Sequence, residues 1–364
     1  MKATPCKLVA FAVATAAIFA FASPASALQQ RSFVGSLGLD TNACTLAAPC
    51  RSFGSAIAQT LAGGEVIVLD SAGYGPVTIV GPISLIAPPG VYAGISVSSG
   101  TGITVNAGSS DVVVLRGLSI NNVGAGTNGI VVAGGLRVMI DRCAISGFST
   151  GAGIALTTSG QTDLDVTETL VRDSSIGVQL ATSGILSQVT LSHVRVESNL
   201  TGVDITGSSV FLRLIDSTIT NGNGDAIHIN PLANRTVRFD IQRGAIIGNN
   251  IALNAAPFNA NVKVLGVVND VLVAENGSFG IYAVAGGAGS TANLSVTNCV
   301  IRYNGTGLRA QVAGATILSK NNLITDNGFD IQAVGVGAAM LTGLGNTLFN
   351  NGTPGAFTGT VAPN

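Results

Sequence analysis

Two side chains suited to proton transfer, Asp204 and His228, occur in closely similar sequence contexts. A Gly-Val pair precedes Asp204, and an Ala-Ile pair precedes His228. If the two segments are neighbouring strands, the carboxylate lies beside the imidazole and can orient and charge it for acid–base catalysis. Asp225 is a third candidate for this catalytic group, with Arg213 or Arg235 expected nearby. The alternative is that Asp204 and His228 are ordinary members of a solvated strand face.

Polar and aromatic residues occupy equivalent positions in the other segments. Five of them form a candidate binding surface: Gln179, Thr206, Asn230, Tyr282 and Arg309. Thr206 and Asn230 belong to a second outward column, two residues further along each strand. The same alignment places Ala252 in the first column and Asn254 in the second. The pattern predicts a polar binding spot around Asp204 and His228.

A second acidic group consists of Asp163, Asp165 and Glu168. Leu164 and Val166 alternate with these residues, so the carboxylates are expected to point outward. Two carboxylates on one face can hold calcium, a cation that prefers several oxygen ligands. Alternation alone also places acidic residues on a solvated face. We therefore predict no metal site, and keep calcium at Asp163 and Asp165 as the alternative.

The five cysteines fall into three groups. Cys6 lies in the N-terminal apolar segment. Cys44 and Cys50 enclose a five-residue loop, and we expect a disulfide between them in an oxidising compartment. Cys143 and Cys299 are expected to be buried thiols, because six coils of the repeat described next separate them.

All these candidates are embedded in a sequence repeat that runs from Ile120 to Ile331. Each copy has an aliphatic strand, a turn, an aliphatic anchor residue and a second short strand. The anchors recur every 23 to 28 residues: Ile120, Ile145, Val171, Val196, Ile219, Ile246, Val273, Ile301 and Ile324. An Asn follows five of the last six anchors by three residues: Asn199, Asn249, Asn276, Asn304 and Asn327. These Asn residues are expected to adopt a left-handed turn and to hydrogen-bond to their copies in the next coil.

The strand pattern predicts an all-β solenoid. Leu136, Val138 and Ile140 alternate with Arg137 and Met139, which is the two-residue period of a strand with one buried face. Short strands without helices predict a coil whose turns stack as parallel strands about 4.8 Å apart. A hexapeptide left-handed helix and a leucine-rich repeat are excluded, because the six-residue step and the dense Leu frame are missing.

With these features the chain resembles, over roughly Glu65 to Phe349, the right-handed parallel β-helix proteins of the pectate-lyase-like superfamily. The resemblance implies a right-handed single-stranded coil with a helical cap at its N-terminal end. It also implies a substrate cleft on one outward sheet, with clustered carboxylates and a base, or with bound calcium and an Arg or Lys. The Asp-Asp, Gly-His-Gly and Arg-Ile-Lys motifs of the hydrolases in this superfamily are missing from the sequence.

The N-terminus has the pattern of a secretory signal peptide. An apolar stretch, Leu8 to Phe21, follows two early lysines, and small residues precede a cleavage position after Ala27. We therefore expect export to the periplasm or beyond the cell, with no transmembrane segment in the mature chain. Without Lys2 and Lys7, 15 of the 17 basic residues remain against 18 acidic ones, so no nucleic-acid partner is expected.

The predicted organisation is a signal peptide (1–27), a Cys loop with a capping helix (28–64), the β-helix (65–349) and a C-terminal tail (350–364). Ser52 is the expected N-cap of the short helix, Phe53, Ile57 and Leu61 its apolar face, and Gly63 its end. Such a helix would cover the unpaired strand edge of the first coil. The lead-in from residue 29 to 49 is expected to be irregular, and the tail loosely ordered.

Three classes of function are compatible with this sequence. Two of them are preferred and describe an exported β-helix protein without a recognisable catalytic signature: one for surface display or adhesion, and one that is a carbohydrate-binding module. The alternative is a polysaccharide lyase or glycoside hydrolase that acts on an outward sheet. An enzyme should bring at least three titratable groups into one cleft, whereas few exposed aromatic residues are available for a strong glycan site. Oligomeric state stays open.

Overall fold

Every coil of the chain places short parallel strands on up to three faces. The structure is a computed structural model that describes residues 28–184 and 186–361. Its coil is right-handed, the hand that crossovers between parallel strands adopt. The predicted all-β solenoid is therefore confirmed. The predicted signal peptide, residues 1–27, lies outside the described residues.

We name the three faces sheets A, B and C in the order in which the chain meets them. The strands of sheet A are Gln29–Val34, Thr60–Val68, Ile83–Ile86, Val112–Arg116, Arg137–Asp141, Asp163–Thr167, Ser187–Ser192, Val210–Ile215, Thr236–Ile247, Lys263–Ala274, Thr291–Thr297, Ala315–Lys320, Ala339–Thr342 and Gly359–Thr360. The strands of sheet B are Ala72–Gly73, Ala93–Asn106, Leu118–Gly134, Ala144–Ser146, Leu170–Arg172, Arg195–Glu197, Thr218–Thr220, Val300–Arg302, Leu323–Thr325 and Thr347–Phe349, with the ends of Thr236–Ile247 and Lys263–Ala274. The strands of sheet C are Val77–Ile79, Ala152–Leu156, Ile176–Leu180, Thr201–Ile205, Asp225–Ile229, Ile251–Ala255, Phe279–Val284, Thr306–Gln311 and Phe329–Val334, with the ends of Ala93–Asn106 and Leu118–Gly134.

The interior of the coil is filled by aliphatic side chains that repeat from one turn to the next. In sheet B the predicted anchors are in register, as Ile145 pairs with both Ile120 and Val171. All three side chains are buried. In sheets A and C the alternate residues of each strand point outward, so every coil adds one residue to each outward column. This register positions the candidate site.

The Asn residues form a hydrogen-bonded ladder at the corner between sheets B and C. The Nδ2 of Asn276 donates to Oδ1 of Asn304 at 2.8 Å, and Asn304 donates in the same way to Asn327 at 2.9 Å. Asn327 continues the ladder to Asn351 at 3.1 Å. These side chains are largely buried, and the bonds satisfy their polar groups. The predicted bonding of an Asn to its copy in the next coil is therefore confirmed for Asn249, Asn276 and Asn304. It fails for Asn199, whose side chain bonds instead to Ser174 N and to the carbonyls of Val171 and Glu197.

The left-handed residue of this corner is not the Asn itself. Positive φ angles occur one position earlier, as at Ser198, Glu275, Tyr303 and Asp326. The prediction of a left-handed Asn was therefore wrong. The turn needs one left-handed residue so that the next side chain, the Asn, can point inward.

The N-terminal end differs from the predicted lead-in and helix. Gln29–Val34 is a strand that pairs with Thr60–Val68, not an irregular segment. The helix extends only from Phe53 to Ala58, with Ser52 as its N-cap. Leu61 lies in the following strand and is exposed, so the predicted apolar face is interrupted after Ile57. The role of this helix as a cap stays a prediction.

Cys44 and Cys50 are joined by a disulfide, with their Cα atoms 4.6 Å apart. The loop they close pairs with the outer edge of Gln29–Val34, because Cys50 N donates to Phe33 O at 2.9 Å. Cys143 and Cys299 are buried free thiols. No helix in the described part of the chain is long and apolar enough to cross a membrane.

The C-terminal tail is more ordered than the composition predicted. Gly359–Thr360 pairs with Ala339–Thr342, and Thr353 bridges to Phe329. The partly buried side chain of Phe357 packs against the core. Residues 350–361 thus continue the stack for part of another coil.

Candidate functional site

One outward column of sheet C collects most of the predicted site residues. Its members are neighbours in consecutive coils: Gln179, Asp204, His228, Asn254, Tyr282, Arg309 and Gln332. We call this set the sheet C column. It spans six coil steps, or roughly 29 Å at the spacing of parallel strands. Each coil therefore offers one polar or aromatic side chain to the same outward line.

Asp204 and His228 are in direct contact within the column. The Nδ1 of His228 lies 2.8 Å from Oδ1 of Asp204. The Asp204 side chain is 11% exposed and that of His228 28% exposed, so water screens the pair only partly. Since Nδ1 is engaged by the carboxylate, Nε2 is the ring nitrogen left for a ligand. The strand register thus places Asp204 beside His228, as the sequence predicted.

The surroundings of His228 favour its protonated form. The hydrogen bond with Asp204 raises the pKa of His228 above its ordinary value. The charges of Asp204 and Asp225 act in the same direction, while burial opposes them. The raised pKa widens the pH range in which the imidazolium, which can donate a proton or a hydrogen bond, is present.

The neighbour of His228 on the C-terminal side is Asn254, not Ala252. The strand Ile251–Ala255 is displaced by two residues from the predicted alignment, so that His228 pairs with Asn254. Asn254 thus moves from the second outward column to the first, and that prediction was wrong. Its Nδ2 donates to Oδ2 of Asp225 at 2.7 Å, so Asp225 is held at the edge of the same group.

Tyr282 and Arg309 form an aromatic and cationic cluster further along the column. The rings of Phe279 and Tyr282 lie 4.8 Å apart, and the Arg309 guanidinium lies 5.1 Å from the Phe279 ring centre. Both Tyr282 Oη and Arg309 Nη2 donate to Oε1 of Gln311, at 2.8 and 3.0 Å. Arg309 Nη1 donates to Gln332 at 3.0 Å. Burial raises the pKa of Tyr282, against the opposing charge of Arg309, so the phenol stays protonated.

The other predicted residues are less central. Thr206 follows the strand of Asp204, at the turn that leaves sheet C. Asn230 accepts a hydrogen bond from Phe258 N at 3.1 Å and so holds the turn of the next coil. Arg213 does not approach Asp204, because it lies on sheet A in register with Asp240. The expectation that Arg213 accompanies the Asp204–His228 pair was wrong.

Asp163 and Asp165 lie on the outward face of sheet A, as alternation predicts. The guanidinium of Arg137 approaches both carboxylates, at 3.7 Å from Asp163 and 3.4 Å from Asp165. Within residues 28–184 and 186–361 no three acidic, His or Cys side chains are grouped as metal ligands. Calcium at this pair stays the untested alternative to the prediction of no metal site, and a calcium titration that leaves the melting temperature unchanged would contradict it.

The sequence did not point to a depression on the outward face of sheet A. Its volume is about 560 Å³, and Phe211, Arg238, Leu265, Val267 and Leu318 are among its lining residues. The alternation of polar and apolar residues along a strand predicts only which side chains point outward. Only the pairing of consecutive coils, Phe211 with Arg238 and Arg238 with Leu265, brings them together.

Comparison with known proteins agrees with this architecture. Residues 92–219 and 176–353 match the family described as right handed beta helix region. The chain belongs to this right-handed β-helix family. No curated protein matches the chain significantly. Family membership establishes the coil but leaves the ligand open.

Solved structures of similar fold include the pectate lyase Pel9A, with 13% identity and a TM-score of 0.52 over 92% of this chain and 80% of that one. The periplasmic alginate epimerase AlgG matches with 10% identity and a TM-score of 0.48 over 79% and 76% of the two chains. The A-module of the Azotobacter vinelandii mannuronan C-5 epimerase AlgE6 matches with 13% identity and a TM-score of 0.41 over 82% and 90%. At such identities the likeness shows the fold alone.

Within this β-helix protein the sheet C column can therefore do two kinds of chemistry. Its polar side chains can bind an extended ligand by one hydrogen bond or stacking contact per coil. The His228 imidazolium, held by Asp204, can donate a proton to a ligand atom near Nε2.

Proposed function

We propose that this β-helix protein is exported and binds a polysaccharide along the sheet C column. The observation that carries the proposal is the unbroken run of outward polar and aromatic side chains over consecutive coils. An extended polymer made of similar units can contact such a run at regular intervals. The fold shared with a pectate lyase makes polysaccharides the first ligand class to test.

The cluster at Tyr282 provides the stacking part of this surface. The apolar faces of sugar rings pack against aromatic side chains, and sugar hydroxyls suit the amides and the guanidinium beside them. The charges at the column nearly balance, since Asp204 is paired with His228 and the Asp225 carboxylate is offset by the Arg309 cation. A neutral or weakly acidic polymer fits this balance better than a highly charged one.

The test of binding is a glycan array with the mature protein, followed by calorimetry on the glycans that bind. Tyr282→Ala and Arg309→Ala should each weaken binding about tenfold, because an aromatic stacking contact contributes roughly 0.5–1.5 kcal/mol and a hydrogen bond from a charged group about 1.5–3 kcal/mol. The matched controls are Tyr92→Ala and Arg195→Ala, which change an exposed tyrosine and an exposed arginine outside the column. The proposal fails if no glycan binds, or if the controls weaken binding as much as the column variants.

Export is the second part of the proposal. Expression of the full chain with its own N-terminus in a secreting host should give a mature protein that begins at Leu28, because cleavage is predicted after Ala27. N-terminal sequencing of the secreted fraction measures this directly. A protein retained inside the cell with Met1 intact would contradict it.

A second candidate function is cleavage of the bound polysaccharide, favoured by the 2.8 Å contact between Asp204 and His228. Asp204, Asp225 and His228 together supply the three titratable groups that an enzyme of this kind requires. A depolymerisation screen on the glycans that bind should then show turnover that His228→Gln abolishes while binding is kept. If the glycans bind but are not cleaved, only the binding function is supported.

A further inference from the structure

The depression on the outward face of sheet A has a size and lining unlike those of the sheet C column. Its volume of about 560 Å³ is in the range of small-molecule sites, which occupy roughly 300–1,000 Å³. Its outward-facing lining residues belong to two neighbouring columns of sheet A. One column contains Phe211 and Arg238, and the other contains Arg213 and Asp240. We call it the sheet A depression.

The floor of the sheet A depression is aliphatic. Leu265 and Val267 point outward from one strand, and the column of Val267 continues through Ser295 to Leu318 and Leu341 in later coils. Val267 to Leu341 is three coil steps, or roughly 14 Å. Outward positions of a solvated solenoid sheet are usually polar, and Val267 is 42% exposed here. The floor is thus a mainly apolar strip along the helix axis, with one small polar residue, Ser295, between Val267 and Leu318.

Arg238 lines the depression, and two more cations, Arg213 and Lys263, each lie two residues along the chain from a lining residue. We call this group the rim. Arg238 and Lys263 are exposed on adjacent strands, and the guanidinium of Arg213 lies 4.2 Å from the ring centre of Phe211. Among the ion pairs of the described residues, none includes Arg213, Arg238 or Lys263.

One carboxylate, that of Asp240, lies among these cations. Its Oδ2 accepts a hydrogen bond from Gln242 at 2.6 Å. Three cations and one carboxylate leave the rim with a net charge of +2. Charges without a partner at the edge of an apolar strip attract a ligand that carries the opposite charge beside an apolar chain.

We infer that the sheet A depression binds a long-chain carboxylate, with its alkyl chain along the aliphatic strip and its head group at Arg238 and Lys263. A sugar polymer fits less well, because the strip has aliphatic side chains and the ring of Phe211 at its edge is already stacked against the Arg213 guanidinium. The shallow strip has the length and apolarity that a single linear alkyl chain requires. This ligand is independent of the polysaccharide proposed for sheet C.

The test is calorimetry of the mature protein with dodecanoate, below its micelle concentration and at low salt. One dodecanoate per protein should bind, and butyrate and the uncharged decyl maltoside should bind at least about tenfold more weakly. Binding should also weaken as salt rises, because exposed charges at the rim are screened. Decyl maltoside binding as tightly as dodecanoate would overturn the inference, since adsorption to an apolar surface needs no cationic rim.

Two variants separate the head-group and alkyl contacts. Arg238→Gln with Lys263→Gln should weaken dodecanoate binding at least about tenfold, and Val267→Ser should weaken it by a similar factor. Lys320→Gln is the matched control, because this lysine is exposed on sheet A beyond the strip. Tyr282→Ala should leave dodecanoate binding unchanged even if it abolishes glycan binding. Unchanged binding in both rim and strip variants, with melting temperatures as in the parent protein, would overturn the assignment.

Discussion

Replacement of Asp204 by Asn tests whether His228 is charged in the folded protein. The carboxylate accepts a hydrogen bond from His228 Nδ1 at 2.8 Å, in a position where both side chains are mostly buried. A hydrogen bond to a charged group contributes about 1.5–3 kcal/mol, against about 0.5–1.5 kcal/mol for a neutral one. Because Asn can still accept the neutral bond, we expect Asp204→Asn to lower the free energy of unfolding by about 1–2 kcal/mol at pH 5.

The sign of the pH dependence follows from the raised pKa of His228. A group whose pKa is higher in the folded state stabilises the protein fully below its unfolded value, about 6.5 for His. This contribution is lost as the pH rises through the folded pKa. Once the pH exceeds the folded pKa the imidazole is neutral, so the cost of Asp204→Asn should be smaller at pH 9 than at pH 5 and approach about 0.5 kcal/mol.

Two measurements check this prediction. Urea unfolding of the parent and Asp204→Asn at pH 5 and pH 9 gives the difference in unfolding free energy. NMR titration of the two histidines gives their pKa values directly, and His193, at another corner of the coil, serves as the internal reference. A His228 pKa that is unchanged in Asp204→Asn, or an equal cost at both pH values, would refute the reasoning.

Three further predictions concern packing and reactivity. Asn304→Ala should lower the unfolding free energy by about 3 kcal/mol in urea titrations, because two buried donors of the preceding coil lose their acceptor. The control Asn293→Ala, on the exposed face of the same coil, should change it by less than about 0.5 kcal/mol, and equal costs would contradict the ladder. Gly266→Ala should cost about 1–3 kcal/mol by the same assay, since its Cβ would lie 1.9 Å from the Phe239 ring, and a neutral effect would contradict this packing. Burial raises the pKa of the Cys143 thiol to about 12, so iodoacetamide at pH 8 should modify it only after unfolding, as mass spectrometry would show.

The coil and its ladder could be predicted because their signals are local. The anchors recur at nearly constant spacing, and alternation around each anchor separates inward from outward residues. Asp204 and His228 both follow a small residue and an aliphatic one, so their pairing required only the correct register of two similar coils.

The position of Asn254 shows where this method reaches its limit. A shift of two residues keeps every side chain on its own face, so inward and outward alternation cannot detect it. Ile251 and Leu253 are both aliphatic and fit either alignment. The number of residues after the ladder Asn would have given the correct alignment. Asn254 follows Asn249 by five residues, as Asp204 follows Asn199.

The sheet A depression could not be predicted because turns of unequal length precede its strands. Four residues separate Ile205 from Val210, but seven separate Ala255 from Lys263. Sequence spacing therefore does not tell which outward residues of sheet A are neighbours. The same uncertainty placed Arg213 near Asp204, although the turn carries it to a different face.

The side-chain amides of the Asn ladder share one orientation along the solenoid axis. From Asn249 to Asn327 each side-chain Nδ2 donates to the Oδ1 of the Asn in the next coil, and Asn351 accepts the last of these bonds, so the amide dipoles point the same way. Aligned amides polarise one another, and an amide with neighbours on both sides gains more from this than one at the end of the row. A gap in the middle of the row should therefore weaken the remaining bonds more than a gap at Asn249 or Asn351.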